Sequence, residues 1–207
     1  MNTNDMVRDG IYYAAALVAA GLGLTYVASW LVALPLFLLA AFCLYFFRDP
    51  NRTVPDGAVA VSPADGRVVS VKAVEPNGMR VSIFLNIFDV HVNRTPIAGR
   101  ITDVEYQPGR FLVASREDAS MDNEQNVVTV EGDGTRVEIK QIAGLIARRI
   151  VCWKKTGDVV RAGERIGLIK FGSRVDVFFG PEWDVTVKLR ERVSGGSSII
   201  ARRKREQ

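Results

Sequence analysis

The sequence predicts a mainly β domain preceded by an N-terminal helical segment that is embedded in a membrane. Two observations predict this fold class. An uncharged run of 37 residues extends from Ile11 to Phe47. From about residue 55 onward, short runs alternate apolar with polar residues and are separated by turns rich in Gly, Pro, Asp and Asn. We therefore predict a membrane anchor over residues 1–50 and a β-rich domain over residues 51–207.

The uncharged run is longer than the about 20 residues that one membrane span needs. A break near Tyr26–Trp30 gives two halves of about 17 residues, which is the lower limit for a span, so we expect a helical hairpin. A single tilted span and a buried helical pair of a soluble protein remain as alternatives. Arg48 and Arg52 at the exit favour the cytoplasmic side of the membrane. We expect the β-rich domain to face the cytoplasm.

The β-rich region contains six runs that we interpret as strands. They are Arg67–Val74, Met79–Leu85, Thr135–Lys140, Arg165–Lys170, Arg174–Phe179 and Asp184–Arg190. Residues 114–126 form the one long polar interruption and predict a loop. Two Gly- and Asp-rich strings, Ser62–Val68 and Thr156–Gly167, are similar to the hairpins of barrel-sandwich hybrid domains. These strings indicate architecture and carry little chemical information.

Composition excludes several classes of function. The formal net charge is only +4, and the one basic cluster, Arg202–Arg205, has no interleaved aromatic residues, so we predict no nucleic-acid partner. Lipid headgroups or solvent account for this cluster better. The two cysteines, Cys43 and Cys152, have no metal-ligand or disulfide spacing, and the chain has one histidine. We therefore predict no metal site.

Three features are the parts of an activated hydroxyl group. Gly195-Gly196-Ser197-Ser198 follows a predicted strand, and on its own such a string is usually a flexible linker. The lone histidine, His91, lies in Phe88-Asp89-Val90-His91-Val92-Asn93-Arg94, and Asp65 lies in Ser62-Pro63-Ala64-Asp65-Gly66. A serine on glycine hinges, an imidazole and a carboxylate suit nucleophilic chemistry.

Read together, the motifs resemble the short, pyruvoyl-dependent form of the phosphatidylserine decarboxylase proenzyme. Besides the three strings above, the matching motifs are Phe46-Phe47-Arg48-Asp49-Pro50, Asn123-Glu124-Gln125-Asn126 and Phe171-Gly172-Ser173-Arg174-Val175-Asp176. Their order and spacing make the resemblance specific and extend it over nearly the whole chain. Gln125 departs from the arginine that the family pattern has at this position, which puts contacts of that loop in doubt.

The resemblance implies self-cleavage between Gly196 and Ser197. Ser197 is then the nucleophile, His91 the general base, and Asp65 the residue that orients or charges His91. The ester that forms undergoes elimination and hydrolysis, which leaves a pyruvoyl group at position 197. Glycines at 195 and 196 suit this attack because they permit an unhindered backbone. The two fragments are expected to remain together as a heterodimer, and a homo-oligomer is left open.

The resemblance further implies that the pyruvoyl carbonyl forms a Schiff base with the amine of phosphatidylserine and accepts the electrons released with carbon dioxide, without pyridoxal phosphate. His91 is also the expected proton donor to the product. Arg94 and Arg174 are candidates for binding the substrate phosphate or carboxylate, with a surface ion pair as the alternative for each. Asp89 either tunes His91 or is structural.

Two other functions remain open. A related seryl lipid, such as the ether-linked archaeal analogue, presents the same headgroup and differs only in its tails. A membrane-anchored adaptor or carrier built on a hybrid fold is less well supported. The sequence shows no heptad run for an adaptor, and Lys170 is the only candidate for a carrier lysine.

Overall fold

The computed structural model describes residues 7–110, 123–144, 149–170 and 173–204. The chain divides into two compact units, residues 1–51 and residues 52–207. The first unit contains two helices, α1 (Arg8–Val27) and α2 (Trp30–Phe46). The second unit is built from strands, so the prediction of a mainly β domain after an apolar helical segment is confirmed.

Helices α1 and α2 form an antiparallel pair that packs at small residues. Gly10 near the start of α1 contacts Phe47, which follows α2, and Gly21 contacts Phe37. The side chain of Ser29 accepts a hydrogen bond from the Val32 N–H (3.4 Å) and so caps the N-terminus of α2. Helix α1 is long and apolar enough to cross a membrane, and little of it is buried, whereas α2 is shorter. Their embedding in a membrane and their orientation stay predictions.

The second unit contains fourteen strands in the part of the chain that the structure describes. They are β1 (Val59–Val61), β2 (Gly66–Val74), β3 (Gly78–Leu85), β4 (Val92–Arg94), β5 (Gly99–Gln107), β6 (Gln125–Gly132), β7 (Thr135–Ile142), β8 (Ile150–Cys152), β9 (Val159–Val160), β10 (Arg165–Ile169), β11 (Ser173–Phe179), β12 (Trp183–Val185), β13 (Arg192–Val193) and β14 (Ile199–Arg203).

These strands form one large curled sheet and two small ones. The large sheet has the order β13-β2-β3-β11-β7-β6-β5-β9, and the small sheets have the orders β1-β14-β12 and β4-β10-β8. The pairs between these strands are antiparallel. Alternate residues of the large sheet face one apolar core, among them Ile83, Ile139 and Val177. Their alternation with polar residues is the pattern that predicted these strands.

One predicted strand is wrong over most of its length. The run Asp184–Arg190 was expected to be extended, but β12 ends at Val185. The Lys188 N–H donates to the Glu191 carboxylate (2.9 Å), the Glu191 N–H donates to the Lys188 carbonyl (3.2 Å), and Arg190 has φ 71°. These bonds close a turn that leads into β13. Local hydrogen bonding from a glutamate therefore overrides the apolar alternation of the run.

Two residues of the C-terminal basic cluster, Arg202 and Arg203, belong to strand β14. Strand β14 pairs with β1 on one side and with β12 on the other, which places Arg202 opposite Val59 and Asp184. Ile200 and Ala201 of this strand are fully buried. Of the predicted loop at residues 114–126, residues 114–122 lie outside the described residues, and Gln125 and Asn126 already belong to β6.

Candidate active site

The string Gly195-Gly196-Ser197-Ser198 forms a closed turn between β13 and β14. The N–H groups of Ser197 and Ser198 both donate to the Ser194 carbonyl (3.1 and 3.0 Å). The Ser198 hydroxyl accepts from the Ser194 N–H (2.9 Å). Gly196 has φ 77°, a conformation that glycine adopts without the strain that a side chain brings. The segment is thus an ordered element of the fold and differs from a flexible linker.

The Pro-Ala-Asp-Gly segment lies directly against this turn. The Gly196 N–H donates to the Ser62 carbonyl (2.8 Å), and the Ser62 N–H donates to the Ser198 carbonyl (2.8 Å). A Cβ atom on Gly195 would lie only 3.2 Å from the backbone of Ala64. The two segments therefore pack at backbone distance, and a side chain at position 195 would push the Ala64 backbone away by a few tenths of an ångström.

Asp65 contacts the turn through its carboxylate. Its Oδ1 accepts a hydrogen bond from the Gly195 N–H (2.7 Å), and Arg52 donates to both carboxylate oxygens (3.0 and 2.8 Å). Both side chains are mostly buried. Arg52 was considered at the sequence level only as a flank of the membrane segment, and its pairing with Asp65 has no local sequence signal.

Two further residues surround Gly196. A Cβ atom built on Gly196 would lie 2.9 Å from Cδ of Arg94 and 3.5 Å from Cβ of Arg52. The Arg94 guanidinium donates to the Gly163 carbonyl (3.0 Å), and Gly163 lies against Gly196 in turn. The hairpin that contains Gly163 was interpreted as architecture alone. It closes one side of the turn at residues 194–198. No local sequence signal marks this contact, because it joins segments far apart in the chain.

His91 immediately precedes β4 and is buried, with 2% of its surface exposed. Its Nδ1 lies 2.9 Å from the Asp89 carbonyl oxygen. Because a carbonyl only accepts hydrogen bonds, Nδ1 carries the proton, and in the neutral ring Nε2 holds the lone pair that a general base needs. The Asp89 carboxylate accepts from the Asn86 N–H (2.9 Å) and from Arg192 (2.7 Å). Asp89 thus orients His91 through its backbone and fixes the loop through its side chain.

The family resemblance implied that Asp65 orients or charges His91. Within the described residues, the hydrogen bonds of Asp65 go to Arg52 and Gly195 and none goes to His91. The role of Asp65 toward the imidazole stays a prediction. The hydrogen bond that Asp65 accepts from the Gly195 N–H connects it with the backbone of the turn at residues 194–198.

A chain of buried amides fixes β4 from the opposite side. Asn126 donates from Nδ2 to Oε1 of Gln141 (3.0 Å), and Gln141 donates from Nε2 to Oδ1 of Asn93 (2.8 Å). Asn93 and Arg94 are adjacent on β4, so their side chains leave opposite faces of the strand. Gln125, the departure from the family pattern, donates to Gln107 (2.6 Å) instead of joining this chain.

Arg174 lies in the large sheet, away from solvent. It forms hydrogen bonds with both carboxylate oxygens of Asp176 (2.6 and 3.0 Å) and with the Ser82 hydroxyl (2.8 Å). The arginine and the aspartate are 2% and 0% exposed. An ion pair, the alternative to substrate binding for Arg174, is therefore present, but it is buried and does not lie at the surface. Phe171 and Gly172 of the same motif lie outside the described residues.

The hairpin beside Gly196 contains a carboxylate with a shifted pKa. Burial by itself raises the pKa of Glu164, but hydrogen bonds from the Lys154 ammonium and the Arg161 N–H, with the charges of both residues, outweigh burial and lower it. The described residues contain no group of three or more His, Cys, Asp or Glu side chains arranged to bind a metal ion.

Comparison with known proteins decides the family. A model of the family described as phosphatidylserine decarboxylase matches residues 39–201, which include Asp65, His91 and Ser197. The chain belongs to the phosphatidylserine decarboxylase family. It is accordingly a decarboxylase, a carboxy-lyase.

Curated relatives in this family match almost from end to end. A phosphatidylserine decarboxylase proenzyme of Solibacter usitatus (strain Ellin6076) is 67% identical over 200 residues, which cover 96% of this chain and 97% of the relative. Proenzymes of Magnetococcus marinus and Oleidesulfovibrio alaskensis are 44% and 42% identical and cover 94% and 99% of the chain, and 91% and 97% of the relatives. The resemblance deduced from the motifs is confirmed.

Proposed function

We propose that this chain cleaves itself between Gly196 and Ser197 and then decarboxylates phosphatidylserine to phosphatidylethanolamine with a pyruvoyl group formed from Ser197. The observation that supports this proposal most is the ordered turn at residues 194–198, docked on the segment that contains Asp65. The word proenzyme in the names of the relatives is consistent with processing.

In the cleavage step, the Ser197 hydroxyl attacks the Gly196 carbonyl carbon, and the amide bond is exchanged for an ester. Backbone hydrogen bonds hold Gly196 and Ser198 against Ser62, so the attacked carbonyl has a fixed position. Elimination then releases a chain that ends in the Gly196 carboxylate and leaves dehydroalanine at position 197. Hydrolysis of its imine form releases ammonia and leaves the pyruvoyl group at position 197. The residues present fit this group because position 197 carries the hydroxyl and stands in a turn that closes on glycines.

His91 serves as the general base that accepts the hydroxyl proton at Nε2. It is the only imidazole in the chain, and its Nδ1 proton is fixed by the Asp89 carbonyl. After maturation, the pyruvoyl carbonyl supplies an electrophile for the amine of the substrate and a sink for the electrons released with carbon dioxide. His91 then returns a proton from Nε2 to the product carbon.

Asp65 acts mainly on the turn at residues 194–198, where we propose the cleavage. Its carboxylate accepts the Gly195 N–H, and Arg52 balances its charge. A charge-assisted hydrogen bond of this kind contributes about 1.5–3 kcal/mol, which is enough to keep one backbone conformation of the turn. We therefore assign Asp65 a positioning role, in addition to any effect on His91.

Strand β14 explains how the short fragment stays in place after cleavage. Residues 199–203 pair with β1 and β12, and Ile200 is fully buried. The 11-residue peptide 197–207 is thus bound along a whole strand. We propose that the two fragments remain a heterodimer for this reason, with the domain facing the cytoplasm and the apolar helices in the membrane.

A related seryl lipid is the alternative substrate, because the reacting headgroup is the same. The hybrid-fold adaptor has no specific observation in its favour. Arg94 remains a candidate for contact with the substrate phosphate, since it lies beside Gly196. Arg174 is not used in this proposal because its guanidinium is occupied by Asp176.

Intact mass spectrometry of the purified protein tests the proposal. We expect a large fragment that ends at Gly196 and a peptide that begins with a modified residue 197 and resists Edman sequencing. Borohydride in the presence of phosphatidylserine is expected to trap lipid on the short peptide. A single chain of full mass in an active preparation, or trapping on a lysine of the large fragment, would contradict the proposal.

A further inference from the structure

The turn between β3 and β4 presents two apolar side chains to solvent. Ile87 is 36% exposed and Phe88 is 59% exposed. Asn86 and Asp89 close this turn. The Asn86 N–H donates to the Asp89 carboxylate (2.9 Å), the Asp89 N–H to the Asn86 carbonyl (3.0 Å), and the Phe88 N–H to the Asn86 side chain (2.8 Å). These bonds fix the backbone of residues 86–89, which we call the Phe88 loop, while Phe88 is 59% exposed.

Cationic side chains flank the Phe88 loop on one side. Asp89 forms an ion pair with Arg192 (2.7 Å), whose side chain is 64% exposed. Arg192 stands directly opposite Arg67 in the β2–β13 pair, and Arg67 is also exposed. Like charges directly opposite each other in an antiparallel pair are destabilising. Asp89 balances part of the Arg192 charge, and an anionic surface over the two arginines would relieve the repulsion that remains.

Two more cations belong to segments that backbone hydrogen bonds join to the residues following the loop. The His91 carbonyl, two residues after Asp89, accepts from the Ile169 N–H (3.4 Å), and the next residue, Lys170, donates from its N–H to the Arg149 carbonyl (3.3 Å). Arg149 is exposed and Lys170 is partly exposed. The Phe88 loop is therefore an apolar tip whose neighbouring segments carry basic residues. The carboxylate within the loop, Asp89, is buried and already paired.

We propose that the Phe88 loop is a membrane-docking element of the β-rich domain, which inserts Ile87 and Phe88 into the interface of an anionic bilayer while Arg67, Arg192, Arg149 and Lys170 contact lipid headgroups. Apolar side chains framed by lysine and arginine are the combination that binds such interfaces. A protein partner would not require this excess of one charge sign. The N-terminal apolar helix is a separate feature, since it belongs to the other unit.

Docking at this loop would bring the substrate headgroup close to the proposed base, and this step rests on the proposed function. His91 follows Asp89 by two residues and is fixed by the carbonyl of that aspartate. A bilayer bound at Phe88 therefore brings lipid headgroups within a few residues' length of the proposed base. Docking at this point presents the substrate headgroup to the site without extraction of the whole lipid from the bilayer.

Site-directed fluorescence in the full-length protein tests the proposal. In a background with Cys43→Ala and Cys152→Ser, a single cysteine at Phe88→Cys is labelled with an environment-sensitive dye. The protein is reconstituted in nanodiscs of phosphatidylcholine, with or without phosphatidylglycerol. We expect a blue-shifted emission, quenching by spin-labelled lipid, and a larger effect with phosphatidylglycerol. Arg67→Ala is expected to lower the ratio of docked to undocked emission about fivefold, as for the loss of one cation near an anionic surface.

Val159→Cys is the matched control, because Val159 is apolar, 68% exposed, and on β9 at the opposite edge of the same sheet. Its dye is expected to be quenched by aqueous iodide and not by spin-labelled lipid. Equal iodide quenching at both positions would overturn the proposal. Shielding of position 88 from iodide without quenching by spin-labelled lipid would also overturn it and would assign the loop to a protein contact. A matured chain with a water-exposed Phe88 loop would reject the docking alone, whereas a docked but uncleaved chain would reject the proposed function alone.

Discussion

Two arginine–aspartate pairs in the β-rich domain have the same chemistry and opposite surroundings. Arg52 and Asp65 are 15% and 18% exposed, and the aspartate also accepts a hydrogen bond from the backbone of the turn at residues 194–198. Arg174 and Asp176 are 2% and 0% exposed and contact a serine within the large sheet. Asp65, Arg174 and Asp176 come from motifs that marked the family, whereas Arg52 lies outside them. A motif residue can therefore serve the chemistry of the site or the stability of its support.

The difference predicts separate consequences for the two pairs. Breaking a buried ion pair leaves an uncompensated charge and costs about 3–5 kcal/mol of stability. Breaking a partly exposed pair costs about 1 kcal/mol or less. The Arg52–Asp65 pair, however, also contacts the backbone of the turn at residues 194–198, which we propose is cleaved. We expect its loss to act on maturation and the loss of the sheet pair to act on folding.

The largest effect is expected at Ser197, the proposed nucleophile. Ser197→Ala removes the hydroxyl that forms the ester, so both self-cleavage and decarboxylation should be abolished, as measured by intact mass and release of carbon dioxide. Ser198→Ala is the matched control and should still mature, because it keeps the Ser197 hydroxyl and loses only the hydrogen bond that the Ser198 hydroxyl accepts from the Ser194 N–H. Maturation of Ser197→Ala would move the cleavage site elsewhere.

His91→Ala should block cleavage nearly as completely, since no other imidazole is present to accept the proton. The measurement is the fraction of full-length chain after prolonged incubation of the folded protein. A circular-dichroism spectrum like that of the unmodified chain serves as the folding control. Cleavage at the normal rate in this variant would remove His91 from the role of base.

Asp176→Asn tests the sheet pair. It leaves the Arg174 charge buried without its counter-ion, and we expect a loss of about 3–5 kcal/mol in the free energy of unfolding, measured by denaturant titration. The fraction of molecules that remain folded should mature at an unchanged rate. A stable variant that fails to mature would give Arg174 and Asp176 a functional role and would remove the contrast between the pairs.

Asp65→Asn is the same chemical change in the other pair. The amide oxygen can still accept the Gly195 N–H but without charge, so we expect maturation to slow by about tenfold or more, with a small change in the unfolding free energy. The rate is followed by mass spectrometry after refolding. A large loss of stability with normal maturation would place Asp65 in the same class as Asp176.

The smallest effect is expected at Glu164, in the hairpin beside Gly196. Its pKa is lowered by Lys154 and the Arg161 N–H, so its contribution to stability is complete above the ordinary carboxyl pKa of about 4.3 and is lost as the pH falls through the lowered value. Glu164→Gln should therefore unfold more easily at neutral pH, by less than about 1 kcal/mol because the side chain is 35% exposed. Unfolding midpoints of the variant and the unmodified chain should converge in acid, and a constant difference across this pH range would contradict the assignment.

Much of the fold could be predicted from local patterns. Alternation of apolar and polar residues marked β2, β3, β7, β10 and β11 to within a few residues. The run at 184–190 failed because its turn depends on one glutamate side chain that bonds three residues back. Of the site, Ser197, His91 and Asp65 were found through motifs. Arg52, Gly163 and the amide chain through Gln141 were not, since their partners are distant in sequence.

The sequence by itself determined the apolar N-terminal segment, the β-rich domain, the family and the identity of the candidate nucleophile and base, because each depends on residue types in a local order. Only the tertiary structure decided that the glycine-serine string is an ordered turn, that Asp65 and Arg52 support it, and that Arg174 belongs to the sheet. The physical reason is that hydrogen bonds and ion pairs between separate strands depend on register and burial. Neither quantity is contained in a short motif.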